Sequence, residues 1–312
     1  MRYYENCFKK ILLPVDKTKN SKKAVKFVGS LINSLYERDI ELILLNIVTF
    51  DEITERLKNI DFRAMMLQDR EFADKIIQEY TKNFIMPFLD RYKTEITDKF
   101  SLSNVRNIVE IGDPGNKIIE IAEKENVNTV MMARRAITKF RKIIFGSVSE
   151  KVLYGLLNKN IYLIGQKEDS LIYRILIPVD GSEYSMKAVE HGVFLAKYLK
   201  ALEKIVILRV INVSHYLERT KQGIDPETEA EEILMDAKRR FINTGVSLDL
   251  IETKSKVGFP KEEIIREIQE FGYDLVIMGR KGRSAIKDLV FGSVSAAVLN
   301  HCFEQTVAII NQ

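Results

Sequence analysis

The residues best suited to chemistry are spaced glycines near the end of the chain. Gly279 and Gly282 directly follow the apolar run 275–278, and Gly292 and Ser293 come after nine further residues. Glycine allows a sharp turn and a close approach of the backbone to an anion, and the free N–H groups at a helix start attract negative charge. This order of strand, glycines and helix start is typical of a phosphate-binding loop.

A second polar cluster follows an earlier apolar run. Residues 175–180 are Ile-Leu-Ile-Pro-Val-Asp, and Gly181 and Ser182 come next. The aspartate can contact a ligand or cap the following helix, and serine is a favoured N-cap with or without an anion. For the glycines, the alternative to a ligand loop is a tight connection between a strand and a helix.

The chain contains one unit twice. Residues 11–16 return as 175–180 with the same Pro-Val-Asp ending, and Phe-Gly-Ser-Val-Ser at 145–149 returns unchanged at 291–295. Self-similarity of this kind indicates a repeated fold unit. We therefore interpret the halves as homologous domains.

The predicted domains are 1–168 and 171–312, joined by a short polar linker. The spacings between matching motifs, 164 and then 146 residues, place 18 additional residues in the first domain, within 51–100. That region has apolar residues at helical spacing, which is typical of packing rather than of a ligand site, and the packing would include a cover over the first domain's site. These residues are Met65, Met66, Leu67, Phe72, Ile76, Ile77, Tyr80, Phe84 and Phe88.

Short aliphatic runs alternate with amphipathic stretches in both repeats, as in parallel sheets covered by helices on both faces. The predicted strands are 10–15, 41–48, 104–111, 129–133 and 161–164, then 174–179, 204–213, 249–257, 275–278 and 306–310. In the second repeat the predicted helices are 185–199, 227–244, 261–271 and 293–302. We predict an α/β fold with two open parallel five-stranded sheets in tandem.

The strand ending Val-Asp-Gly-Ser, together with the later Gly-x2-Gly-x9-Gly-Ser, resembles the universal stress protein family over both repeats. The resemblance implies Rossmann-like or flavodoxin-like units of the adenine nucleotide alpha hydrolase type. It places ATP, or ADP or AMP, at the carboxyl edge where strands one and four diverge, as the switch-point rule also predicts. Mg²⁺ or Mn²⁺ would accompany the phosphates.

On this resemblance the second repeat supplies the nucleotide-binding residues. Those after the first two strands border the adenine and ribose, and those of the glycine loop and the next helix start contact the ribose and phosphates. The predicted set is Pro178, Val179, Asp180, Gly181, Ser182, Val210, Met278, Gly279, Arg280, Gly282, Gly292, Ser293, Val294 and Ser295.

The first repeat departs from this pattern. Ala133 and Ala136 stand where the second repeat has Gly279 and Gly282, and Lys17 replaces the glycine after Val-Asp. A methyl group hinders phosphate approach, and it costs about 1 kcal/mol or more where φ is positive. We predict weak or no nucleotide binding there, and hence one nucleotide per chain.

Both loops are basic, which allows two interpretations. One is a basic surface exposed to solvent. The other is an anion site, which in the first repeat retains its basic residues but lacks the glycines that would shape it. The residues are Arg134, Arg135, Lys139, Arg141 and Lys142 in the first loop and Arg280, Lys281, Arg283 and Lys287 in the second.

Composition excludes several classes of protein. A net charge of +4 on 312 residues lacks the strongly basic domain of a nucleic-acid binder. The two cysteines, Cys7 and Cys302, form no zinc or disulfide pattern, so a cytoplasmic location is expected. No apolar run approaches the roughly 18 residues of a membrane span, and the first residues lack the apolar stretch of a signal peptide.

The sequence lacks a Walker loop, a Ser-His-Asp arrangement and a positioned general base, so at most slow ATP hydrolysis or autophosphorylation is expected. The main hypothesis is a nucleotide-dependent stress-response regulator with an unidentified protein partner, and the alternative is a scaffold without nucleotide. The fifth strands, 161–164 and 307–310, are expected to pair, since pairing protects sheet edges. That pairing gives an internal pseudo-dimer, and a homodimer is compatible with it.

Overall fold

A computed structural model of the chain describes residues 6–35, 39–56, 69–134, 146–223, 225–282 and 291–311. Within these ranges two α/β units follow one another. The first contains strands β1 (Lys10–Pro14), β2 (Glu41–Val48), β3 (Val105–Ile111), β4 (Thr129–Ala133) and β5 (Asn160–Ile164). The second contains β6 (Arg174–Val179), β7 (Lys204–Asn212), β8 (Ile251–Gly258), β9 (Leu275–Gly279) and β10 (Thr306–Ile310).

Helices alternate with the strands in both repeats. The first repeat has α1 (Lys19–Ser34), α2 (Phe50–Arg56), α3 (Arg70–Tyr80), α4 (Met86–Phe100), α5 (Pro114–Lys124) and α6 (Ser147–Gly155), and a π-helical turn (Thr81–Ile85) joins α3 to α4. The second has α7 (Glu183–Ala196), α8 (Val213–Lys221), α9 (Pro226–Ile242), α10 (Pro260–Phe271) and α11 (Ser293–His301). No helix among the described residues is long and apolar enough to cross a membrane.

The predicted strands and helices are all present, and their ends differ from the prediction by at most three residues. Helix α8 was not predicted. It begins after Asn212, whose side-chain oxygen accepts the N–H of Ser214 at 2.9 Å and thereby caps the first turn. Its first turn lacks the acidic residues that would have marked a helix start in the sequence.

The described strands form one sheet of ten, in the order β3-β2-β1-β4-β5-β10-β9-β6-β7-β8. Pairing is parallel within each repeat, whereas β5 and β10 pair antiparallel, with Tyr162 opposite Ala308. The prediction of two separate five-stranded sheets is therefore refined to one continuous sheet. The predicted pairing of the fifth strands is confirmed, and it removes two exposed edges.

Both faces of the sheet are buried, which explains the continuous apolar runs. Along β1, Ile11 and Leu13 belong to the core on one face, and Leu12 belongs to the core on the other. Helices α1, α4, α7 and α9 cover the first face, and α5, α6, α10 and α11 cover the second. Because successive side chains of a strand point to opposite faces and both faces are buried, most positions of the inner strands are apolar.

An aromatic cluster joins the repeats beneath the central strand pair. The Tyr162 hydroxyl on β5 and His191 Nε2 on α7 lie 2.5 Å apart in a hydrogen bond, and both residues are fully buried. The rings of Phe8 and Phe194 pack around them, with centroids 5.4 to 5.9 Å apart. Loss of hydration lowers the pKa of His191 to about 3.

Because His191 is neutral in the fold, acid should destabilise the protein through this residue. The unfolded chain binds a proton near pH 6.5 and the folded one only near 3, so stability falls as pH drops below 6.5, by about 1.4 kcal/mol per pH unit. In His191→Gln, which retains an acceptor for Tyr162, we expect a shallower loss. Urea denaturation of both proteins at pH 7 and pH 5 measures the difference, and equal losses would contradict this prediction.

Candidate functional site

The candidate site lies at the carboxyl ends of β6 and β9. Strand β6 pairs with β7 along its whole length, but with β9 only at Ile175 and Leu176. In the first repeat, β1 likewise pairs with β4 only at Ile11 and Leu12. The two central strands of each repeat therefore separate toward their carboxyl ends. In open parallel sheets, this switch point is where ligands bind.

The loop after β6 forms one side of the crevice. Gly181 has φ +76°, a conformation that favours glycine, and Ser182 caps α7 by accepting the N–H of Ser185 at 3.2 Å. Oδ1 of Asp180 accepts the N–H of Ser182 at 3.0 Å. The N-cap of α7 is therefore the serine, and the aspartate instead fixes the turn before the helix. Pro178 and Val179 are buried beneath it.

Gly279, at the end of β9, has a structural reason to be glycine. A β-carbon at this position would lie 2.5 Å from the Tyr184 carbonyl carbon and 2.8 Å from the Ser185 nitrogen, both in the first turn of α7. The strand and helix backbones thus approach each other too closely for any side chain. For this glycine, the interpretation as a tight strand-to-helix contact applies, and Met278 before it is buried.

Gly282 has a different environment, because it is exposed and faces the Asp180 carboxylate. A β-carbon here would lie 2.5 Å from Oδ2 of Asp180, and no backbone atom of the described residues lies within 4 Å of it. The structure therefore brings Asp180 and Gly282 together across the crevice, although they are far apart in sequence. Within the described ranges, no helix or strand packs against this glycine.

The start of α11 completes the crevice. Gly292 is the N-cap, so it offers the first-turn N–H groups no side-chain acceptor, and its own N–H donates to the Arg280 carbonyl at 3.0 Å. Ser293 is exposed, whereas the Ser295 hydroxyl donates to the Gly279 carbonyl at 3.0 Å and ties the helix to β9. The backbone N–H groups of this turn are available to an anion.

Two further predicted residues lie at the edge of the site. Val210 is buried near the end of β7, the strand beside β6. Val294 is half-buried in the first turn of α11. Residues 283–290, which include the predicted basic residues Arg283 and Lys287, lie outside the described residues.

For the Arg280 side chain, the predicted contact with a ligand is not supported by its position. It is 2% exposed, and its guanidinium donates to main-chain carbonyls at the end of α6 in the first repeat. Arg134 makes the mirror-image contact with the end of α11. Burial lowers the pKa of Arg280, and that of Arg134 to about 10. Both interpretations of the basic loops, solvated face and anion site, are therefore wrong for these two arginines.

The corresponding turn of the first repeat is closed on itself. Oδ1 of Asp16 accepts from the Thr18 N–H at 2.9 Å and from the hydroxyls of Thr18 and Ser21 at 2.5 and 2.6 Å. Lys17 does not have a positive φ, so this turn differs in backbone from that at Gly181. Ala136 and the basic residues 135–142 lie outside the described residues.

The additional segment of the first repeat packs at its carboxyl edge. The Tyr92 hydroxyl on α4 donates to the Asp16 carbonyl at 3.0 Å, and Lys17 Nζ lies 5.3 Å from the Phe88 ring centroid. Burial beside Asp16 raises the pKa of Tyr92 to about 12. These contacts confirm packing for this part of the predicted stripe and place α4 against the turn that corresponds to the crevice loop.

Other residues of the stripe behave differently. Tyr80 is buried and donates to Glu52 at 2.6 Å, and Ile76 and Ile77 are partly buried against the core. Phe72 and Phe84 are 51% and 40% exposed, but the Phe84 ring packs on the ring of Tyr80 with centroids 5.4 Å apart. Phe84 therefore packs within the stripe, whereas Phe72 does not lie in the core. The three residues at 65–67 lie outside the described residues.

Among the described residues, no group of three His, Cys, Asp or Glu side chains is placed to hold a metal ion. Both cysteines are free and buried. As far as the structure describes it, the protein side of the crevice consists of backbone amides, small or apolar residues and the Asp180 carboxylate. Such a site suits a ligand that brings its own negative charge.

The fold and the crevice define a class of protein, namely tandem α/β proteins with a glycine loop at the switch point of an open parallel sheet. The model of the universal stress protein family matches residues 8–155 and again residues 172–309. The chain belongs to the universal stress protein family, with two such domains in tandem.

Relatives of known sequence and structure agree with this assignment. Universal stress protein MJ0531 of Methanocaldococcus jannaschii is 27% identical over 163 residues, which is 49% of this chain and 93% of the relative. Universal stress protein MJ0577 of the same organism is 31% identical over 148 residues, or 42% of this chain and 90% of the relative. A crystal structure of a universal stress protein from Archaeoglobus fulgidus DSM 4304 has a TM-score of 0.62 at 20% identity. The match covers 97% of this chain and 98% of the chain in that structure, and it supports the fold.

Proposed function

We propose that the second repeat binds one adenine nucleotide, ATP in the first instance, in the crevice between β6 and β9. The observation that carries this proposal is the meeting of Asp180, Gly282 and the first turn of α11 at the switch point. Among the described residues, only the Asp180 side chain lies within 4 Å of a β-carbon placed at Gly282, and none caps α11 through its side chain. A phosphorylated ligand explains both features, since phosphate needs close backbone approach and N–H donors.

The residues divide by chemistry into two groups. The buried apolar residues at the ends of β6, β7 and β9 would border the base and ribose, and Asp180 would contact the ribose. The glycine loop and the start of α11 would donate to phosphate oxygens, and a bound Mg²⁺ or Mn²⁺ would offset the remaining negative charge. The first group is Pro178, Val179, Asp180, Gly181, Ser182, Val210 and Met278, and the second is Gly279, Gly282, Gly292, Ser293, Val294 and Ser295.

Binding is proposed to be asymmetric. The domains are taken as 1–168 and 171–312, and only the second keeps the glycine loop. In the first, the Asp16 turn is held by its own hydroxyl contacts and lies against α4. Ala133 adds a methyl group where the second domain has Gly279. These features favour a structural or regulatory first domain without nucleotide.

The biological role that follows is regulation rather than catalysis. Nucleotide bound at Gly279, Gly282 and Gly292 would change a surface that a protein partner contacts. Ligands change a conformational equilibrium only by binding one state more tightly, so the two surfaces must differ in nucleotide affinity. A cytoplasmic location and a homodimer belong to the same proposal.

The test is the nucleotide content and stoichiometry of the full-length protein. We expect isothermal titration calorimetry with ATP and Mg²⁺ to give one site per chain, and acid extraction of the purified protein to release an adenine nucleotide. Protein that carries no nucleotide and gives no heat with ATP, ADP or AMP would overturn the proposal. Two sites per chain would overturn the asymmetry alone.

A further inference from the structure

Arg280 connects the candidate loop to the first repeat. Its guanidinium donates to the carbonyl oxygens of Leu153 and Leu156, at the end of α6, and to the side-chain oxygen of Asn311 at 3.3 Å. Carbonyls at a helix end lack intrahelical donors, and the helix dipole favours a positive charge there. The arginine is therefore held by a helix of the other repeat.

The backbone of the same residue holds the site. The Arg280 N–H donates to the Ile310 carbonyl on β10 at 3.3 Å, and its carbonyl accepts the N–H of Gly292, the N-cap of α11. Gly279 and Gly282 lie within two residues of it on either side. The residue whose side chain contacts α6 is therefore also the residue whose backbone joins β10 to the N-cap of α11.

A second contact joins the other end of the loop to α6. Phe291 precedes the N-cap, is 3% exposed, and meets the ring of Tyr154 edge-on with centroids 6.2 Å apart. The guanidinium carbon of Arg280 lies 5.7 Å from the Phe291 ring centroid. Both described ends of the loop, 279–282 and 291–292, thus contact one helix of the first repeat.

Arg134 makes the reciprocal connection. It follows β4, is 7% exposed, and donates to the carbonyls of Leu299 and Cys302 at the carboxyl end of α11. Its guanidinium carbon also lies 5.0 Å from the Phe303 ring centroid. The helix that presents Gly292 and Ser293 at one end is thus anchored to the first repeat at the other.

We propose that the first repeat positions the nucleotide site of the second, with Arg280 fixing the glycine loop against α6 and Arg134 fixing α11. Both arginines are positioning residues, since neither guanidinium reaches the crevice. The inference rests on the proposed nucleotide binding. A rigid site binds its ligand more tightly than a site that must first be ordered. By holding the site rigid, the first repeat would serve nucleotide binding without a ligand of its own.

The test compares ATP affinity with stability in full-length variants. We expect Arg280→Met and Arg134→Met each to weaken ATP binding by about tenfold, the usual size of coupling between distinct sites. Hydrogen exchange at the amides of Gly282 and Gly292 should be faster in Arg280→Met without ligand. Calorimetry gives the affinity, and urea denaturation gives the stability of each variant.

The matched control is Tyr162→Phe, which removes a buried hydrogen bond between the repeats away from both loops. It should lose stability but keep the affinity of the unaltered protein. If either arginine variant fails to fold, Tyr154→Ala replaces it, since this ring is 46% exposed and its loss should weaken ATP binding by about threefold.

The outcomes separate the two proposals. Binding by the unaltered protein with unchanged affinity in the arginine and Tyr154 variants would overturn the positioning role alone. Equal loss of affinity in Tyr162→Phe would also overturn it, because general loosening of the repeats would then explain the result. Absence of ATP binding in the unaltered protein would overturn the proposed function itself.

Discussion

Gly282→Val is expected to weaken ATP binding by about tenfold to a hundredfold, the range that an overpacking penalty of a few kcal/mol implies. The new side chain would begin 2.5 Å from Oδ2 of Asp180, so it must displace that carboxylate and fill the crevice. Stability should change little, because Gly282 is exposed and has no left-handed φ, and that of Asp180 is the only side chain of the described residues within 4 Å of the new β-carbon.

Calorimetry with ATP and Mg²⁺ measures the affinity, and thermal unfolding followed by circular dichroism verifies the fold. Gly146→Val is the control in the first repeat, because Gly146 is the N-cap of α6 and the counterpart of Gly292, and no described atom lies within 4 Å of a β-carbon placed there. It should bind ATP as the unaltered protein does. Undiminished binding by a folded Gly282→Val protein would exclude this crevice as the nucleotide site.

Gly165→Ala is expected to destabilise the protein by about 3 kcal/mol, at the upper end of overpacking effects. A β-carbon at Gly165 would lie 2.2 Å from the Glu304 carbonyl oxygen and 2.5 Å from the Gln305 carbonyl carbon. These are backbone atoms just before β10, so a shift of a flexible side chain cannot relieve the overlap. The strand must move away from β5, although the two hold the repeats in one sheet.

The measurement is urea denaturation at neutral pH, with Gly146→Ala as the control in open space. The control should lose less than about 1 kcal/mol, the effect of a poorer N-cap residue. A loss in Gly165→Ala no larger than that of the control would show that the approach of the two backbones is not tight in solution. Such a result would weaken the view of the two repeats as one packed unit.

Much of the fold could be predicted because its determinants are local or repeated. The inner strands are mostly apolar since both sheet faces are buried there, and the Pro-Val-Asp and Phe-Gly-Ser-Val-Ser motifs recur in register. Comparison of the two repeats also aligned Ala133 with Gly279 from the sequence alone. Missed features, such as α8 and the exposure of Phe72, depend on contacts that periodicity does not report.

The candidate site was predicted less completely. The sequence placed Asp180, Gly282 and Gly292 near one sheet edge, because the carboxyl ends of parallel strands share an edge. The sequence suggested one reason for all of these glycines, namely close approach to a phosphate, whereas the structure gives Gly279 and Gly282 different environments. Gly279 is required by the first turn of α7, whereas the described atoms within 4 Å of a β-carbon at Gly282 belong to the Asp180 carboxylate. Spacing alone could not distinguish these two environments.

By itself, the sequence determined that the chain is a duplicated α/β unit with one complete glycine loop, since chain order and residue type suffice for both conclusions. Only the tertiary structure shows which groups the two buried arginine side chains contact. Arg134 and Arg280 appear in the sequence as members of two basic loops, yet each crosses to a helix end of the other repeat. A guanidinium is buried only where several acceptors converge on it, and such convergence arises from the packing of segments distant in the chain.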